Sequence, residues 1–141
     1  MKEKVLISTG GSGGHVIPAI TIHDHLKEKY DTIISTDSRG LKYLEKNDYR
    51  SILIDTPKFN SLILFPFTLF KVLILTINSL KILKKEKISY LISTGGYMSL
   101  PLCLAAKILN IKIFLIEPNM VLGRANRSVS YTHLTLPTIV G

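Results

Sequence analysis

Val5-Leu-Ile-Ser-Thr-Gly-Gly-Ser-Gly-Gly-His-Val-Ile-Pro-Ala19 decides the fold, because an apolar run breaks there into four glycines within five positions and then restarts with helical spacing. Val5, Leu6 and Ile7 read as a short strand buried on both faces of a parallel sheet. The glycines leave no Cβ in the way, so successive loop N–H groups can face one concavity. From His15 onward Val16, Ile20 and Leu26 keep helical spacing, and Pro18 falls in the first turn, where its missing N–H costs nothing. Strand, glycine loop and helix N-terminus together bring unpaired amides and the positive end of a helix dipole to one point, which makes an anion or phosphate site. The competing reading is a tight turn in some other doubly wound protein. Two named nucleotide motifs do not fit: a dinucleotide fingerprint needs glycine where Val16 stands, and a P-loop needs Gly-Lys-Ser/Thr. His15 weighs on the functional side. On the first helical turn it feels the positive helix end, which disfavours imidazolium and leaves the ring able to accept a proton near neutral pH.

Composition narrows the class. At 141 residues the chain suits one domain with a proper core. Its 46% hydrophobic and 20% charged residues exclude a disordered chain. A net charge of +8 and a pI near 9.6 suit phosphates, nucleic acid or an anionic membrane surface, without choosing among them. Cys103, the single cysteine, lies within Leu102-Cys-Leu-Ala105 and reads as a packed small hydrophobe in a reducing compartment. The first ten residues hold no apolar run of signal-peptide length, so a cytoplasmic location is expected.

Further along, the first helix is expected to end near Lys29, and Thr32 to Ser35 reads as a second strand closing at Thr36-Asp37. Asp37 either bonds a ribose hydroxyl or caps the next helix, Leu41 to Asn47, and the cap is favoured. Ser51 to Ile54 reads as a third strand. Phe59 to Phe70 then carries no charge, and Val72 to Leu80 continues apolar after Lys71. Pro66, Asn60, Ser61 and Lys71 interrupt this region, which argues against a membrane-spanning helix. From Phe67 on, Lys71, Asn78, Lys81 and Lys85 share one helical stripe. One reading is a crossover helix packed on the sheet. The other leaves Leu62, Leu64, Phe65, Phe67 and Phe70 exposed, with Lys71 and neighbouring lysines around them, as a patch that dips into a bilayer. Ile88 to Ser93 is the next strand and runs into Thr94-Gly95-Gly96-Tyr97, a second glycine loop at the same sheet edge. A helix from Leu100 to Leu109, ended by Asn110, and a fifth strand, Ile111 to Ile116, bring Glu117-Pro118-Asn119 to that edge as well. Residues 128–141 show neither helical period nor a place in the alternation, and read as a tail foreign to a domain of residues 1–127. His23 and His25 lie two apart on a helix, so their side chains leave different faces, and no metal cluster or cofactor is expected.

With these residues in view, the chain resembles the N-terminal half of the MurG family of peptidoglycan glycosyltransferases. Three motifs carry the likeness: Gly10-Gly-Ser-Gly-Gly-His15 with Pro18-Ala19, Gly95-Gly-Tyr-Met-Ser99 with Pro101, and Glu117-Pro-Asn119 followed by Gly123 and Asn126-Arg127. The resemblance implies an α/β, Rossmann-like parallel sheet that forms one half of a GT-B fold, with the active site in the cleft between two domains. It implies transfer of N-acetylglucosamine from UDP-N-acetylglucosamine to the muramyl 4-hydroxyl of lipid I, an undecaprenyl-pyrophosphate-linked acceptor. It places donor contacts on Ser12, Gly13, Gly14 and Asn119, and acceptor contacts on Gly11, Gly95, Gly96 and Tyr97. The base is His15, with Glu117 the second candidate. The membrane patch implies a peripheral position on the inner face of the cytoplasmic membrane. Ser12 stands where the family usually has Thr, Ile116-Glu-Pro-Asn119 replaces the usual His-Glu-Gln-Asn, and residues 128–141 do not read as the beginning of the family's second domain.

Three other classes compete. A non-catalytic acceptor-binding or membrane-recruiting subunit would work only with a separate donor-binding chain. A nucleotide-dependent oxidoreductase or methyltransferase is disfavoured by Val16. Nucleic-acid binding is least favoured, because few aromatics are interleaved among the lysines for stacking.

Overall fold

Leu6-Ile7-Ser8-Thr9-Gly10-Gly11 recurs as Leu91-Ile92-Ser93-Thr94-Gly95-Gly96. The two copies lie side by side, Leu6 opposite Leu91, Ile7 opposite Ile92 and Ser8 opposite Ser93. They are the ends of β1 (Lys4–Ser8) and β4 (Ile88–Ser93) in a sheet that also contains β2 (Asp31–Thr36), β3 (Ser51–Leu53), β5 (Lys112–Glu117) and β6 (Thr138–Val140). The strand order is β3-β2-β1-β4-β5-β6 and every pairing is parallel. The computed structural model describes residues 1–54, 65–95, 99–117 and 138–140, and of 65, 68 and 138–140 the backbone alone.

Among the described residues four helices cover this sheet: α1 (Gly13–Leu26), α2 (Ser38–Leu44), α3 (Phe65–Glu86) and α4 (Ser99–Ile108). Alternation along each strand divides the apolar side chains between two layers. Val5, Ile7, Ile34 and Ile92 pack with Val16 and Ala19 of α1 and Leu44 of α2. Leu6, Ile33, Leu91, Ile113 and Leu115 pack with Leu83 of α3 and with Leu102, Cys103 and Ala106 of α4. Right-handed crossovers require this division, since the chain steps one way from β1 to β3 and the other way from β4 onward. Each fully buried Leu or Ile contributes about 1.5–3 kcal/mol, so truncating Leu91 to alanine costs about 2–5 kcal/mol. The order reverses between β1 and β4, and ligands of open α/β sheets bind beyond the strand ends at such a reversal.

Several boundaries differ from the sequence reading. α1 ends at Leu26 rather than Lys29, and the chain turns there through Lys29 N–H and Tyr30 N–H bonds to the Leu26 carbonyl. α2 starts at Ser38 rather than Leu41, because Asp37 caps it directly. Glu117 is the last residue of β5 rather than the first beyond it. Thr138–Val140, within the segment read as a tail, pairs with β5 as a sixth short strand. Its β-branched residues suit a strand, but three residues are too few for a period to show. Asn110, just beyond α4, takes φ 57, the left-handed conformation that stops a helix.

α3 carries apolar residues on its outward as well as its inward side. Val72, Thr76, Ser79 and Leu83 face inward, and the Thr76 and Ser79 hydroxyls donate to the carbonyls of Val72 and Leu75 at 2.7 Å. Outward stand Phe67, Phe70, Leu73 and Ile77, which are 69%, 63%, 54% and 53% exposed. Lys71, Asn78, Lys81 and Lys85 are also exposed. Leu62 and Leu64 lie outside the described residues, as does the Phe65 side chain. Among the described residues no helix is long and apolar enough to cross a membrane.

Candidate functional site

The loop between β1 and α1 continues the ladder before it opens. Thr9 N–H donates to Ser35 O and Thr94 N–H to Ser8 O, both at 2.9 Å, so β1 and β4 stay tied one residue past their ends. Ser12 then takes the N-cap position of α1 with extended backbone, and its carbonyl accepts from His15 N–H and Val16 N–H at 3.0 Å. Its hydroxyl makes no cap bond, and the first turn holds no acidic residue. The N–H groups of Gly13 and Gly14 have no partner four residues back, so the positive end of a 14-residue helix faces the switch point with no acidic residue in its own first turn. This is where an anion is most stabilised.

His15 and Thr94 clasp the two glycine loops together. The His15 ring Nδ1 lies 2.9 Å from the Thr94 carbonyl oxygen, and Thr94 Oγ1 donates to the His15 carbonyl at 3.0 Å. A carbonyl oxygen only accepts, so Nδ1 carries a proton, and in the neutral ring the lone pair is on Nε2. His15 is half-buried, whereas Thr94 is wholly buried. Gly95 follows with φ 100, which only glycine adopts freely, and its N–H donates to Ser93 Oγ at 3.2 Å. His15 and Gly95 are thus brought together through Thr94, a residue the sequence reading did not single out. Its signal was the repeated Ser-Thr-Gly-Gly, whose second threonine is the clasp.

At the end of β2, Asp37 is the cap of α2: its carboxylate accepts from Arg39 N–H and Gly40 N–H at 3.0 Å. Oδ2 also accepts from Arg39 Nε and Nη2 at 3.1 and 2.8 Å. These contacts explain Gly11. A Cβ there would run into Asp37 Oδ1 and lie 2.8 Å from Arg39 Cβ. Gly13 faces Tyr43, whose hydroxyl would be 3.3 Å from an added Cβ, while a Cβ on Gly14 would meet only Ser12 Oγ at 3.9 Å. The four glycines therefore differ: Gly11 makes room for the protein's own carboxylate, and Gly14 opens outward.

Glu117, at the end of β5, has no exposed surface and interacts with neighbouring groups. Gly96, Tyr97 and Asn119 lie outside the described residues. Cys103 is buried against Ser93, and desolvation pushes its thiol up to about 12, the state of an inert core residue. His23 is buried edge-on to Tyr49, and the exposed His25 ring bonds the Thr21 carbonyl at 2.8 Å. A hollow of about 560 Å³ lies away from the glycine loops. It lies between the second half of α1 and the β4–β5 face, lined by Leu26, Tyr30, Tyr90 and Phe114.

Comparison with known proteins agrees with this geometry. The profile of the glycosyltransferase family 28 N-terminal domain matches residues 5–135. The chain belongs to glycosyltransferase family 28. A family relative from Pelagibacter ubique, UDP-N-acetylglucosamine--N-acetylmuramyl-(pentapeptide) pyrophosphoryl-undecaprenol N-acetylglucosamine transferase, is 51% identical over 128 residues. That match covers 90% of this chain and 36% of the relative. The protein of the same description from a Wolbachia of Brugia malayi is 36% identical over 124 residues, covering 87% and 35%. The chain thus spans about a third of the length of the curated relatives it matches. Among solved structures, MurG from Acinetobacter baumannii superposes with a TM-score of 0.81 at 24% identity, over 98% of this chain and 45% of that one. A UDP-GlcNAc 2-epimerase from Methanocaldococcus jannaschii shares the fold with a TM-score of 0.68 at 18% identity, over 96% and 39%. The N-terminal GT-B architecture is therefore common to different chemistries, and the reaction has to be argued from the site.

Proposed function

We propose that this chain is the acceptor-side half of an enzyme that transfers N-acetylglucosamine from UDP-N-acetylglucosamine to the muramyl 4-hydroxyl of lipid I, forming lipid II. The observation that carries this reading is the His15–Thr94 clasp, which holds a ring nitrogen with a free lone pair between two glycine loops at the switch point of the sheet. In the reaction the acceptor oxygen attacks the anomeric carbon, the bond from that carbon to the diphosphate of UDP breaks, and the hydroxyl proton passes to His15 Nε2. The Thr94 carbonyl fixes the tautomer and the ring orientation for this step. The departing diphosphate gains negative charge, and the uncapped amides of Gly13 and Gly14 stabilise it, with the Ser12 hydroxyl beside them. Glu117 has no exposed surface, which favours His15 as the base. Asn119 is assigned to the donor side, and Gly95, Gly96 and Tyr97 to the acceptor side, as the family resemblance implies.

The outward apolar row of α3, Phe67, Phe70, Leu73 and Ile77, is the part of the described surface suited to rest on a lipid bilayer. Lys71, Lys81 and Lys85 on the same helix would face anionic headgroups, and the enzyme would be peripheral on the inner face of the cytoplasmic membrane.

The test is a chimera that joins residues 1–127 to the C-terminal domain of a family relative, assayed for transfer of labelled N-acetylglucosamine from the UDP donor to lipid I. The chimera is expected to transfer, and His15→Ala to lower kcat by about 10²–10⁴ with unchanged thermal unfolding. A folded chimera without transfer refutes the reading and leaves a non-catalytic acceptor-binding module. Near-normal turnover in His15→Ala removes His15 from the role of base.

A further inference from the structure

Two side chains of α2 lie on the β1–α1 glycine loop. Arg39 Cβ packs where a Gly11 side chain would be, and the Tyr43 hydroxyl sits over Gly13. They are four residues apart, hence on one face of the helix. Arg39 is also the described cation nearest in the chain to the carboxyl end of a strand, three residues past β2. Asp37 engages its Nε and Nη2 edge, which leaves the Nη1 end of the guanidinium unused by that pair, and the side chain is 53% exposed. The Asp37 charge is itself taken up by two backbone N–H groups and this arginine.

We propose that α2 forms a second wall of the glycine-loop site, in which Arg39 and Tyr43 hold the diphosphate group of the entering ligand. Asp37 acts as the positioning residue. It clamps one edge of the guanidinium so that the other presents paired N–H donors at the spacing of phosphate oxygens. The Tyr43 hydroxyl donates to a second oxygen. This rests on the transferase reading above and adds the wall that the three sequence motifs do not contain. A diphosphate occurs both in the nucleotide-sugar donor and in the lipid-linked acceptor, and the two sources are separable by experiment.

The 141-residue chain is titrated with UDP-N-acetylglucosamine, with a short-chain prenyl diphosphate and with inorganic pyrophosphate, followed by the amide signals of Gly13 and Gly14. Arg39→Lys keeps a cation beside Asp37 but cannot serve carboxylate and phosphate at once. It is expected to weaken the cognate diphosphate about tenfold, and Tyr43→Phe about threefold, with melting temperatures unchanged. A loss confined to the prenyl diphosphate assigns the wall to the acceptor, and one confined to the UDP sugar assigns it to the donor. Wild-type affinity in both variants, or a loss that tracks reduced stability, overturns the inference alone. Wild-type protein that binds none of the three probes overturns the transferase reading with it.

Discussion

Replacing Gly11 and Gly14 separately by alanine distinguishes a glycine kept for packing from one kept for a ligand. At Gly11 the new methyl group would enter the space of the Asp37 carboxylate, 2.8 Å from Oδ2 and closer still to Oδ1. The carboxylate has to retreat, giving up its 3.0 Å cap bonds to Arg39 N–H and Gly40 N–H. Loss of the cap and overpacking of the loop together cost about 2–4 kcal/mol. For a chain of this size that lowers the melting temperature by roughly 6–12 °C. At Gly14 the methyl group meets only Ser12 Oγ at 3.9 Å, and alanine restricts the unfolded chain, so stability rises by up to about 1 kcal/mol. The assay is urea and thermal unfolding of the two variants beside the wild type, with pyrophosphate titration of each. Gly14→Ala is expected to be the more stable protein and the weaker binder. Equal melting of Gly11→Ala and wild type, or equal losses in both variants, refutes this division of roles.

Two further outcomes are open to measurement. Phe67→Glu with Phe70→Glu is expected to leave the melting temperature within about 2 °C, since both rings are already in water, and to weaken partition into phosphatidylglycerol vesicles at least about tenfold. Unfolding of this double variant would instead make the α3 row part of a packed interface. Cys103, with its thiol raised from 9.0 to about 12, stays protonated when folded at a pH where the unfolded chain has lost that proton. Its contribution to stability is therefore complete below pH 9 and falls by about 1.4 kcal/mol per pH unit from there toward 12. Cys103→Ala should flatten the alkaline limb of the stability curve, and an unchanged limb would show that the thiol is not desolvated.

The strands and their order of appearance were legible in the sequence, because a strand buried on both faces is a continuous apolar run, and Val5–Ile7, Ile33–Ile34 and Leu91–Ile92 cannot be exposed without large cost. The two glycine loops were legible for a similar reason: a bare backbone after a strand is a local property. The three-residue β6 was not, since so short a segment carries no period and is defined only by its pairing with β5. Asp37 was legible as the cap of α2, but the onset was misplaced by three residues because apolar spacing first shows at Leu41. Chain order determined which loops reach the carboxyl edge of the sheet. Only the tertiary structure decided that Thr94 binds His15, that Gly11 yields to Asp37, and that Arg39 and Tyr43 line the loop. Those contacts join residues up to 79 positions apart and are set by strand register and helix approach, not by any local pattern.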